Sequence, residues 1–117
     1  ATLFITSSQD MTRLSAILAP VLARHEEHAL CSISNQRLNG LEFHLRRPIE
    51  AVDPDAIWDH MKATALGGRP TDYLVKNARW ARLATNAPAR VHAEPVGPHW
   101  LLVAPEPAAW REKFKTP

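Results

Sequence analysis

The chain has 117 residues, 45% of them apolar, with 22% charged residues and a formal net charge of +2. That is enough for one domain, residues 1–117, around a single core. Four Trp and a modest charge argue against disorder, and no run approaches the 18 apolar residues of a membrane span. Cys31 is the only cysteine, so no internal disulfide and no cysteine-based zinc site is available. A reducing cytoplasm is the expected compartment, with no membrane partner. The TLFIT run at the start is too short for a secretory h-region and lacks a basic flank.

In chain order, residues 2–6 (TLFIT) are β-branched and aromatic and predict a first strand. Ser7, Ser8 and Asp10 offer cap chemistry. Met11, Leu14, Ile17, Leu18, Val21, Leu22 and His25 then recur at helical spacing, the pattern of a half-buried helix. Pro20 falls inside it and predicts a bend or a split. Residues 30–34 (LCSIS) and 41–47 (LEFHLRR) read as a hairpin around Asn39-Gly40. In its second strand Leu41, Phe43 and Leu45 alternate with Glu42, His44 and Arg46.

Asp53-Pro54 is a strong helix start. Ile57, Trp58, Met61 and Leu66 mark the buried face, and Gly67 is the expected left-handed stop. A third helix is predicted over roughly 71–85. Two short β segments follow, at 90–94 and 100–104, separated by Pro95-Val96-Gly97-Pro98. Trp110 and Phe114, at i, i+4, fit one docking helical turn. This order predicts an α+β fold: an antiparallel sheet with helices packed on one face. The preferred version is a ferredoxin-like β-α-β-β-α-β frame with an additional helix and C-terminal strand. An open sheet face in such a frame invites a second copy, so a homodimer is expected.

The strongest functional signal is charge segregation. Residues 69–90 carry Arg69, Lys76, Arg79, Arg82 and Arg90 against Asp72 alone, a local +4, while the chain before them sums to −2. On a helix, Lys76, Arg79 and Arg82 would share one stripe, with Tyr73 and Trp80 beside them. Cations next to aromatic faces suit single-stranded nucleic acid, which needs charge for phosphates and π surfaces for bases. Arg69, Tyr73, Lys76, Arg79, Trp80 and Arg82 are therefore the candidate ligand-binding residues of a non-enzymatic binding or regulatory module. Its expected partner is anionic, nucleic acid first.

Two other readings compete. A small enzyme or small-molecule binder would use His44, Glu42, His92 and Glu94 if their strands were neighbours, a carboxylate orienting an imidazole for proton transfer. An assembly protein would place Trp58, Trp100 or Trp110 in an interface. His25 and His28, at i, i+3, do not match the H-E-x-x-H zinc pattern. With no third ligand evident they read as complements to a helix dipole. No metal or cofactor is expected, and Cys31 reads as a buried structural thiol.

Overall fold

The computed structural model describes residues 2–115, with side chains from residue 11 onward. The described residues form an α+β fold with a five-stranded mixed sheet and five α-helices. Helix α1 (Thr2–Ala23) leads into β1 (Ala29–Ile33), α2 (Asn39–Leu45) and β2 (Glu50–Val52). A short 3-10 turn (Pro54–Ala56) opens α3 (Ile57–Leu66), followed by β3 (Thr71–Lys76) and α4 (Asn77–Leu83). The chain closes with the hairpin β4 (Val91–Val96) and β5 (Trp100–Pro105), and with α5 (Pro107–Phe114). The strand order is β2-β1-β3-β5-β4. Strands β2, β1 and β3 are parallel; β5 runs antiparallel to β3, and β4 to β5. No helix among the described residues is long and apolar enough to cross a membrane.

Strand alternation sends side chains to two separate cores. Leu30, Leu74, Val96 and Leu102 meet Leu14, Leu18 and Leu22 of α1 and Leu41 of α2. On the other face Cys31, Ile33, Tyr73, Val75 and Val103 meet Ile57, Met61 and Ala65 of α3 and Trp110 of α5. Helices thus cover both faces of a mixed sheet. The expected all-antiparallel sheet with helices on one face is not what the chain forms, and its order departs from the ferredoxin-like frame. The premise of the homodimer, an open sheet face, goes with it.

Three local expectations fail for identifiable reasons. Residues 2–6 are helical, not a strand: no Gly or Pro separates TLFIT from the amphipathic run, and α1 extends back through it. Pro20 lies inside α1, which stays one element instead of splitting; the missing N–H of Pro20 costs the helix one backbone hydrogen bond.

Residues 41–47 are helix α2, not a strand. Leu38, Leu41 and Leu45 also satisfy helical spacing, and that pattern prevails: Leu41 is fully buried while Phe43 is 79% exposed. Arg46 closes the helix at φ 55°, donating its backbone N–H to Glu42 O.

The predicted helix over 71–85 divides into β3 and the short α4. Thr71 through Val75 are all buried, so β3 is the central strand, with apolar demand on both faces. At the end of α3, Leu66 is exposed and Ala65 is buried in its place; other local features follow the expectation. Asp53 caps the start before α3 by accepting from Asp55 N at 2.8 Å. The hairpin falls at 91–105, and Trp110 docks in α5, its Nε1–H donating to Arg90 O at 2.9 Å. The left-handed residue after α3 is Gly68, not Gly67.

Candidate functional site

The parallel strands β1, β2 and β3 direct their carboxyl ends to one side of the molecule. The chain leaves β1 toward β2, then returns across it to β3, so successive connections reverse between β1 and β3. Open sheets of this kind receive ligands at the carboxyl edge near such a reversal, where diverging connections leave a crevice.

A cleft of ≈ 680 Å³ lies at the carboxyl end of β3 but on its β5 side, away from the β1/β3 reversal: its described lining includes no residue of β1 or of the loop that follows it. Helix α1 forms one wall with Met11, Leu14 and Ile17; Val96 and Trp100 of the hairpin form the facing wall. The β4–β5 turn is tied to the start of α4: Asn77 N donates to His99 O at 2.9 Å and Asn77 Nδ2 to Pro98 O at 3.0 Å. Gly97 sits in that turn at φ +74°. A Cβ there would stand 3.2 Å from Ile17 Cδ1, so glycine permits both the backbone conformation and the close approach to α1.

The polar lining is one-sided. Arg13 and Lys76 bring positive charge, His99 and Asn77 bring further hydrogen-bonding groups, and no described lining residue is a carboxylate. Lys76 Nζ lies 5.6 Å from the centroid of the Trp100 ring, its partner across the β3–β5 ladder. This cation–π contact holds the ammonium at the rim. An apolar trough with two cations at its mouth suits a molecule with a hydrophobic body and an anionic head.

Of the six candidate ligand-binding residues Lys76 alone lines this cleft, and Trp100, singled out as an interface candidate, lines it too. Arg69 is exposed at the opposite end of β3, about 23 Å away along an extended strand. Tyr73 is fully buried, with its hydroxyl 2.8 Å from His60 Nδ1 and 3.0 Å from Thr64 Oγ1. It offers no ring face to a base, which corrects its assignment to an exposed stripe. Arg79 spends one guanidinium nitrogen on Ile33 O at 2.8 Å. Trp80 is half-buried, edge-on to Trp58 at 5.9 Å. Arg82 is exposed. The single basic-aromatic stripe therefore dissolves, because the segment is half strand and half helix.

The alternative cluster is also dispersed. Glu42 is held by Arg37, whose Nη2 donates to it at 2.8 Å; that bond keeps the Glu42 carboxyl below its usual range. His44 Nε2 lies 3.3 Å from Thr12 Oγ1. His92 Nε2 is 3.6 Å from Glu106 Oε2, and Glu94 accepts from Arg24 Nη2 at 2.9 Å. None of these pairs joins α2 to β4. Trp110 is buried in the core of the α3/α5 face and the half-buried Trp58 packs against it, with ring centroids 6.5 Å apart.

Cys31 faces the α3 side with its thiol 3.9 Å from Glu50 Oε2. Burial, reinforced by the Glu50 carboxylate, pushes that thiol up to about 12 against a partial opposing pull from Arg69. A thiol so firmly protonated is no nucleophile near neutral pH.

Arg13, Asn77, His99 and Trp100 were not identifiable as one site from sequence. Arg13 lies on a helix more than sixty positions from Lys76, and only the sheet topology brings the two together. Compared with known proteins, the chain matches no family model, no curated protein and no solved structure.

Proposed function

We propose that this protein is a non-enzymatic binding module that receives an amphipathic anion in the cleft beside β3. The supporting observation is the one-signed charge of an apolar cleft at the carboxyl edge of the sheet: Arg13 and Lys76 without a carboxylate among the described lining residues. The apolar wall of Met11, Leu14, Ile17 and Trp100 takes the ligand body, and the two cations take its carboxylate, sulfonate or phosphate. Nucleic acid stays in view as the competing anionic partner, since Lys76 and Arg82 are both exposed. It would find a weaker platform here, with Tyr73 sealed and Trp80 half-covered.

The test uses anilinonaphthalene sulfonate as the anionic probe and the uncharged phenylnaphthylamine as its control. Reversing either charge, Arg13→Glu or Lys76→Glu, should weaken the sulfonate by roughly 10-fold or more while barely altering the neutral dye. Equal affinity of the wild-type and doubly reversed proteins for the sulfonate would remove the proposal. A short single-stranded oligonucleotide that displaces the dye, with affinity falling steeply in salt and lost in Arg82→Glu, would favour nucleic acid instead.

A further inference from the structure

The amino-terminal ends of β1 and β3 carry a separate polar cluster, on the sheet face shared with α1 and at the far end from the cleft. Asp72, the second residue of β3, is 2% exposed and meets the turn that joins α1 to β1. Its Oδ2 lies 3.1 Å from His25 Nδ1, and both its oxygens lie 3.2 Å from His28 Nδ1. The two imidazoles stack with centroids 4.7 Å apart, and each is about one-third exposed. The turn is fixed from below by Arg47, whose Nη2 donates to His28 O at 2.7 Å. Among the described residues, no lysine or arginine pairs with Asp72.

A buried carboxylate without a cation is costly, and hydrogen bonds alone offset only part of that cost. Two imidazole Nδ1–H groups satisfy its lone pairs. Removing both protons from between the ligands leaves two neutral nitrogens and one anionic oxygen converging on a common point. Metal–nitrogen and metal–oxygen bonds of zinc run about 2.0–2.2 Å, which sets tetrahedral ligand–ligand edges near 3.3–3.6 Å. The observed 3.1–3.2 Å separations are close to those edges, and the ligand atoms of all three residues lie within 4.8 Å of one another.

We propose that His25, His28 and Asp72 bind one divalent transition-metal ion of the zinc or cobalt class, with the fourth coordination position open to solvent. Two imidazoles and one carboxylate favour such borderline ions over calcium or magnesium, which prefer all-oxygen sites. Each Nδ1 must give up its proton on binding, to Nε2 of the same ring where the imidazole is neutral and to solvent where it is protonated. Exposure of the ring edges supplies the entry path. A second grouping, Cys31, Glu50 and His60, competes for the same metals. It is looser, with His60 Nε2 3.8 Å and Cys31 Sγ 3.9 Å from Glu50 Oε2. His60 also has its Nδ1 committed to Tyr73.

The protein is stripped with chelator, dialysed, and titrated with cobalt(II) and then zinc(II). About one equivalent should bind, with strong visible d–d absorption, no sulfur-to-cobalt charge-transfer band, and a raised melting temperature. His25→Gln and His28→Gln keep an amide donor for Asp72 and should fold, yet lose roughly 10- to 100-fold in affinity. Cys31→Ala should bind as the wild type does. Should either glutamine variant fail to fold, the imidazole C–H resonances of the wild-type protein are followed during zinc addition; shifts confined to His25 and His28 support the site. Absence of cobalt binding to the wild type, undiminished binding in the folded glutamine variants, a thiolate band, or shifts centred on His60 would each overturn it.

Discussion

Raising the pH past 9 should destabilise this protein through Cys31. In the folded state its thiol holds its proton up to about 12, against an ordinary value of 9.0, chiefly because burial penalises the thiolate. Between those values the unfolded chain releases the proton and the folded chain keeps it. The stabilisation is therefore fully present below pH 9 and is lost as pH rises toward 12. Each pH unit in that window removes about 1.4 kcal/mol, so the loss between pH 8 and pH 10 is about 1.4 kcal/mol. With a urea slope of about 1–3 kcal/mol/M for a small domain, the midpoint should fall by about 0.5–1.4 M. Trp fluorescence during urea unfolding at pH 8, 9 and 10 reads this directly. Tyr73 is pushed in the same direction by burial, so the diagnostic quantity is the difference from Cys31→Ala. That variant should start less stable and show a shallower alkaline decline. An identical decline in both proteins would refute the assignment of the slope to the thiol.

Gly97→Ala should destabilise the protein by about 1–2 kcal/mol, because an L-residue at φ +74° is strained. Its Cβ would also crowd Ile17 Cδ1 at 3.2 Å, so the same variant should weaken binding of the sulfonate dye. A thermal melt and a dye titration check the two effects. Arg46→Gly should act the other way, raising stability by roughly 0.5–1 kcal/mol in urea titrations, because φ 55° at the end of α2 suits glycine better.

Where local chemistry decided the outcome, the sequence was readable. Asp53-Pro54, the Gly97-Pro98 turn of the hairpin, and the Trp110/Phe114 spacing each name their structure without help from distant residues, although the turn read over 95–98 begins only after Val96. Reading failed where one set of residues satisfied two periods. Leu41, Phe43 and Leu45 alternate as a strand would, yet Leu38, Leu41 and Leu45 close a helical face, and contact with α1 selected the second. The segment 71–76 failed because a central strand is buried on both faces and shows no alternation. The cleft was illegible because it joins α1, the end of β3 and the β4–β5 turn, three places unrelated in sequence. Asp72 was illegible for the same reason: inside a segment expected to be helical over 71–85, it could not be seen to meet His25 and His28 in the turn between α1 and β1.

The two borders of the sheet, β2 and β4, bear on how the protein behaves at high concentration. One is only three residues long. The other contains Pro95, which has no N–H to offer, and Glu94, tethered to Arg24. A foreign strand seeking to extend the hydrogen-bond ladder finds too little backbone on one flank and an interrupted donor row on the other. Fibrillar growth by strand addition is thereby discouraged at both flanks, which leaves self-association to side-chain surfaces instead of backbone pairing.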